Sequence, residues 1–203
     1  MDFRVYGDVK ARWSVKSSGF GLDRTFSDWT FCTVTKNIGP QVDGILKDRW
    51  LIGMHDPEEF PTELQYRHKR SMKDVECGIA ALVPEKDTPA HIFASAPVPK
   101  FFSTLPFPFR SDLPVHVHAT FLISGDRESI PIEESMRDAG AEWNRWLLTY
   151  AIPRLYLAFR EDLGRKIEKD RYFAFWPQIP PPKGSLSDLI FSSFWQMLPN
   201  SSC

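Results

Sequence analysis

The stretch Val115-His116-Val117-His118-Ala119-Thr120-Phe121-Leu122-Ile123-Ser124 decides the fold, because apolar and polar residues alternate along it. Successive side chains of a strand point to opposite faces, so Val115, Val117, Ala119, Phe121 and Ile123 share one face. His116, His118, Thr120, Leu122 and Ser124 share the other. After Gly125-Asp126-Arg127 the period changes. Between Met136 and Tyr150, the residues Ala139, Trp143, Trp146, Leu147 and Tyr150 recur at helical spacing. Pro153 interrupts that pattern, and Leu155, Phe159, Leu163 and Ile167 mark a second helix, kinked away from the first or newly started.

Upstream of this point the signals are strand-like. Residues 3–15, Trp29 to Val34, Cys77 to Val83, His91 to Ala94 and Phe101 to Leu105 are strand candidates, rich in β-branched, aromatic or continuous apolar residues. Residues 42–52 are expected to form a short helix holding Ile45, Leu46 and Trp50. His55 to Lys73 is polar, a solvated loop or helix face. Downstream, Arg171 to Trp176 reads as an aromatic strand, and Pro177 to Pro182 as extended polyproline-like chain. Ser185-Leu186-Ser187-Asp188 resembles a capping box with Asp in place of Glu. It opens a last helix with a stripe of Leu186, Leu189, Ile190, Phe194 and Met197. The expected fold class is α+β, one domain over 1–203, with a mixed, mostly antiparallel sheet (strands mainly 3–124) followed by packed helices (mainly 136–198).

Composition excludes several functions. Of 203 residues, 25 are Lys or Arg and 26 are Asp or Glu, a net charge of −1. A sequence-independent grip on nucleic acid needs a surplus of cations, so no nucleic-acid partner is expected. No stretch approaches the roughly 20 apolar residues that cross a bilayer, and the first residues carry no secretory pattern. Cys203 stands last, which does not fit a prenylation box. No membrane association is expected. Three widely spaced cysteines, Cys32, Cys77 and Cys203, form neither a disulfide framework nor a zinc cluster, which suits a reducing, cytoplasmic setting. Aromatic residues make up 14% of the chain. They serve as large core side chains or, in part, as walls of an apolar ligand pocket.

Several words in fixed order resemble a known family. They are Glu76-Cys77-Gly78-Ile79-Ala80-Ala81, Leu105-Pro106-Phe107-Pro108, Leu113-Pro114-Val115-His116-Val117-His118, Phe121 through Ile130 (FLISGDRESI), Trp143-Asn144 and Leu147-Leu148. Together they resemble the segment that follows the Hsp90-type ATPase domain of sacsin-like proteins, particularly large fungal ones, over roughly residues 76–160. The resemblance implies an Hsp90 middle-domain-like architecture and a chaperone-like setting. It also implies that nucleotide chemistry belongs to a domain upstream of this segment. The 11 glycines never form a phosphate-binding loop, so the chain is expected to stand alone without ATP hydrolysis and with no cofactor. Family members carry asparagine–glycine where this chain has His118-Ala119.

The candidate chemistry lies on the polar face of the central strand. His116 and His118, two residues apart, place two imidazoles about 7 Å from each other. A metal would need a third ligand that the neighbouring sequence does not supply, so no metal is expected. The rings serve as hydrogen-bonded strand residues or as catalytic acid–base groups in a pocket. Thr120, Arg127 and Trp143 are the candidate ligand-binding residues, with Arg127 able to clamp a carboxylate or other oxygen. Two functions follow. The first is an ATP-independent scaffold that binds an apolar small molecule and catalyses a cofactor-free cyclisation or isomerisation, as in fungal biosynthesis. The second is a chaperone-like or protein-interaction module, with a polyproline surface around 177–182 and a protein partner or a homodimer.

Overall fold

Alternation and pairing account for the strands. In the computed structural model, which describes residues 13–16, 30–37, 45–55, 61–64, 75–83, 97–125, 128–133 and 140–198, the strands precede the long helices. The chain divides into two compact units, one of Met1–Gly53 with Ala80–Pro97 and one of Met54–Ile79 with Val98–Cys203.

In the first unit β1 (Trp13–Lys16), β2 (Thr30–Asn37) and β3 (Ile45–His55) form an antiparallel meander. β2 and β3 pair without a break, from Thr30 opposite Ile52 to Asn37 opposite Ile45. Residues 45–52, expected as part of a short helix, are therefore strand. Leu51 and Gly53 are buried while Trp50, Ile52 and Met54 are half-buried, a period of two that the positions of Ile45, Leu46 and Trp50 alone do not reveal. Beyond this meander, β4 (Cys77–Leu82) spans the division between the units, and just after it the Val83 N–H donates to the Arg49 carbonyl at 2.8 Å.

In the second unit the strand order is β4, β7 (His116–Ala119), β5 (Lys100–Ser103), β6 (Leu105–Arg110). β5 runs parallel to β7, with Phe101 opposite Val117, and antiparallel to β6. Thr104, at φ 55°, makes the tight reversal that sets Ser103 opposite Leu105. β6 carries Pro106 and Pro108, which lack N–H groups, and it ends the strand order, as prolines in a ladder require. Val115, Val117, Ala119 and Phe121 are buried, as the alternation predicts. The ladder ends at Ala119, and Ile123 is exposed. Phe101 and Phe107 meet Phe121 edge-on, each at 6.3 Å between ring centroids.

The two helices expected around Pro153 form one continuous helical run. α1 (Ala141–Trp146) passes through a π turn (Leu147–Ala151) into α2 (Ile152–Lys166). The Ile152 N–H reaches back five residues to the Leu147 carbonyl. The wider turn takes in Pro153, which has no N–H to donate and whose ring would clash with a regular turn. Leu155, Phe159 and Leu163 are buried, as their spacing predicts. At Gly140, just before α1, a Cβ would lie 2.7 Å from the Leu122 Cβ, so only glycine lets the helix start against that chain.

Arg171 to Trp176, expected as a strand, is instead wound: α3 (Lys169–Tyr172) continues into a short 3₁₀ turn (Phe173–Phe175). The buried Tyr156 hydroxyl donates to the Phe175 carbonyl at 2.8 Å and fixes that turn against α2, a tertiary bond no local pattern announces. At α4 (Leu186–Met197) the N-cap half of the expected capping box forms, while the return bond goes to the residue before the cap. Ser185 Oγ accepts from the Asp188 N–H at 3.1 Å, and the Asp188 carboxylate accepts from the Gly184 N–H at 2.8 Å. Ile190 and Phe194 of its stripe are fully buried, and Phe194 packs on Tyr156. The architecture is α+β, a mixed sheet with packed helices. Among the described residues no helix is long and apolar enough to cross a membrane.

Candidate functional site

His116 on the polar face of β7, and Thr120 just past its end, bond to the rest of the fold. His116 Nδ1 accepts a hydrogen bond from the Lys100 backbone N–H at 3.1 Å, tying the start of β5 to β7, and the ring stands edge-on to Phe102. Burial, and then the nearby Lys100 charge, hold the His116 imidazole down at about 4. Burial also lowers His118, against the opposing pull of Glu76. Both rings are neutral at pH 7. The Thr120 N–H donates to the Glu76 carbonyl at 3.0 Å, and the Glu76 N–H donates back to Thr120 Oγ1 at 3.4 Å. His116 and His118 share one face of β7, and Thr120 lies just past the end of the strand. Among the described residues no group of three or more His, Cys, Asp or Glu is arranged to hold a metal ion.

Trp143 lies apart from that face, fully buried, and its indole N–H donates to the Thr120 carbonyl at 2.9 Å. The next residue, Asn144, is equally buried and grips the chain one step further on. Its Oδ1 accepts from the Leu122 N–H at 2.8 Å, while Nδ2 donates to the carbonyls of Leu122 (2.6 Å) and Pro131 (2.8 Å). The side-chain amide thus supplies both bonds that a neighbouring strand would give Leu122, where the ladder has ended. Beyond it, Ser124 and Ser129 bond to each other's side chain and backbone and close the next loop. Arg127 lies in that loop, outside the described residues.

A cleft of about 460 Å³ opens elsewhere in the second unit, and neither histidine is in its wall. Val98, Pro99, Pro114, Trp176, Pro177 and Ile179 are among its apolar lining residues. Arg110 and Asp112 also line it and pair with each other at 3.3 Å. Val98 is 56% exposed and Ile179 80%, so the apolar surface extends into solvent. Trp176 is held from behind. The Arg160 guanidinium stacks 4.7 Å from its ring centroid, and Tyr172, Phe194 and Trp195 surround it. The Trp195 indole N–H donates to the Pro177 carbonyl at 3.3 Å and sets the direction of the proline segment. The sequence pointed to this place only through the exposed surface expected around 177–182. It gave no sign that Val98, Pro99 and Pro114 meet Trp176.

The comparisons with known proteins agree with part of the sequence resemblance. No family model matches the chain, and no solved structure matches it. Human sacsin is 26% identical over 140 residues, covering 61% of this chain and 3% of sacsin. The chain is thus sacsin-like over part of its length and spans a small fraction of that relative.

Proposed function

We propose that the chain is a sacsin-like protein-interaction module, related to the segment that follows an Hsp90-type domain, and that its cleft holds an extended apolar segment of a partner protein. The observation that carries this reading is the apolar cleft with Val98 and Ile179 exposed at its rim. Burying one such aliphatic side chain against a partner is worth about 1.5–3 kcal/mol, and exposed contiguous apolar surface of this kind marks interaction sites. A wall of prolines beside a tryptophan suits an extended or polyproline-type segment, whose backbone is ordered before binding. The sacsin likeness fits the same reading, as does a sequence with no nucleotide-binding loop.

The cyclase or isomerase reading draws no support from the cleft, whose charged groups are ion-paired and whose walls hold neither His116 nor His118. The experiment is fluorescence anisotropy with labelled Pro- and Leu-rich peptides, alongside light scattering of an aggregating client protein. Binding and suppression of scattering are expected, and Ile179→Asp removes both while leaving the melting temperature in place. Equal activity in wild type and Ile179→Asp places the interaction elsewhere and rejects this reading.

A further inference from the structure

Arg160 is the one charged side chain in the described core, 8% exposed. Its Nε has no hydrogen-bond acceptor, nor has the buried indole N–H of Trp176 on which it stacks. Buried guanidinium groups are normally met by a carboxylate, because an uncompensated charge in low dielectric is costly. Among the described residues no carboxylate pairs with it. On the same helix Asp162 pairs with Lys166 at 2.6 Å, Asp112 pairs with Arg110, and Asp188 caps α4. Arg110 and Asp112 cancel along the cleft wall. A guanidinium with no carboxylate partner among the described residues therefore stacks on the indole that lines the cleft, its carbon 4.7 Å from the ring centroid.

We propose that Arg160 makes the cleft selective for acidic segments: the partner chain it takes carries an Asp or Glu among apolar or proline residues. The inference rests on the docking role given to the cleft above, and it names the chemistry of the occupant. Charge complementarity is the argument. A buried charge acts through protein rather than through water and salt, so it biases an incoming anion more strongly than an exposed arginine would. Such a charge sets which partner binds more than how tightly any partner binds. The bulky indole keeps the cation out of solvent and presents an apolar face to the partner. Arg160 is a specificity-determining residue that acts through Trp176.

The test uses the full chain and short synthetic peptides of Pro, Leu and Ala that differ at one central position, Glu, Gln or Lys. Isothermal titration is expected to rank them Glu, then Gln, then Lys, with Glu over Gln by about tenfold. Arg160→Lys keeps that ranking, and Arg160→Met brings the Glu-to-Gln ratio close to one. In the wild type the ratio persists from low to high salt, a measurement that needs no variant. Equal binding of the Glu and Gln peptides overturns the inference and leaves the docking role standing. A preference that survives Arg160→Met, or that vanishes with salt in the wild type, also overturns it, because the charge then lies at the surface. No binding of any peptide to the wild type rejects both the docking role and the selectivity.

Discussion

Two tryptophans, each with a polar companion, anchor different parts of the second unit. Trp143 and Asn144 have a backbone partner for each polar side-chain atom: indole N–H, amide oxygen and amide nitrogen all meet partners between Thr120 and Pro131. Trp176 and Arg160 are also packed, yet the Trp176 indole N–H and Arg160 Nε have no acceptor. A satisfied buried network specifies one structure, whereas an unsatisfied one lowers stability and leaves binding capacity. The difference separates a part of the molecule that holds the fold from a part suited to recognition. His116 and Thr120 belong with the former, since His116 bonds the start of β5 and Thr120 bonds Glu76.

The largest expected effect breaks the satisfied pair. Asn144→Leu deprives the Leu122 N–H and the carbonyls of Leu122 and Pro131 of their partner in a half-buried setting. At about 1–3 kcal/mol for each buried group left without a partner, the loss should reach about 3–6 kcal/mol in urea denaturation. Asn144→Asp should be no better, because a carboxylate accepts from Leu122 but cannot donate to the two carbonyls. A loss below about 1 kcal/mol would mean that water replaces the amide, and the contrast between the two tryptophan sites would then dissolve.

A smaller effect comes from pH, which acts on β7 and spares the Trp176 turn, where residues 168–182 include no histidine. The folded chain keeps His116 neutral down to about 4, while the unfolded chain takes up the proton near 6.5. Above pH 6.5 both states are neutral and the ring contributes nothing to the dependence. As pH falls from 6.5 toward 4 only the unfolded state gains the proton, so stability drops, and His118 acts in the same direction. The melting temperature should be lower at pH 4.5 than at pH 7 by several degrees, and the double variant His116→Gln, His118→Gln should flatten that slope. An unchanged slope would assign the dependence to other groups.

How much of this was legible beforehand follows from the range of the interactions. The alternation from Val115 to Phe121 and the spacing of Leu155, Phe159 and Leu163 are local patterns, and both appear in the structure as read. β3 and the wound aromatic run at 171–176 were misread. The first is decided by pairing with β2 and the second by the distant Tyr156 hydroxyl. His116, His118, Thr120 and Trp143 stand out in the sequence by residue type, which does not say that His116 and Thr120 bond within the fold or that Trp143 is buried against the Thr120 carbonyl. A residue list cannot tell a hydrogen-bonded strand face from a pocket wall, and the structure places none of them in the cleft. The cleft itself gathers Val98, Pro114 and Trp176 from distant points of the chain. Arg160 belongs to no local sequence pattern; only its burial and its contact with Trp176 set it apart.

The smallest expected effect on stability is the most discriminating. Arg160→Met keeps an unbranched chain of similar length against the Trp176 ring and removes a charge that has no counter-ion among the described residues. Replacing a buried charged group by a well-packed apolar one is often neutral or stabilising, whereas breaking a paired one is costly. The cation–π contact argues the other way, being worth about 2 kcal/mol when desolvated, and the desolvation of an unpaired guanidinium costs several. The balance predicts a change within about 1 kcal/mol of zero, with the sign toward greater stability. Chemical denaturation of Arg160→Met beside Asn144→Leu measures the contrast directly. A loss for Arg160→Met as large as that for Asn144→Leu would show that the guanidinium is satisfied and serves the fold, and the two tryptophan sites would then be of one kind. A neutral or positive result means that the chain keeps a charge its fold does not need, as a residue retained for recognition would be.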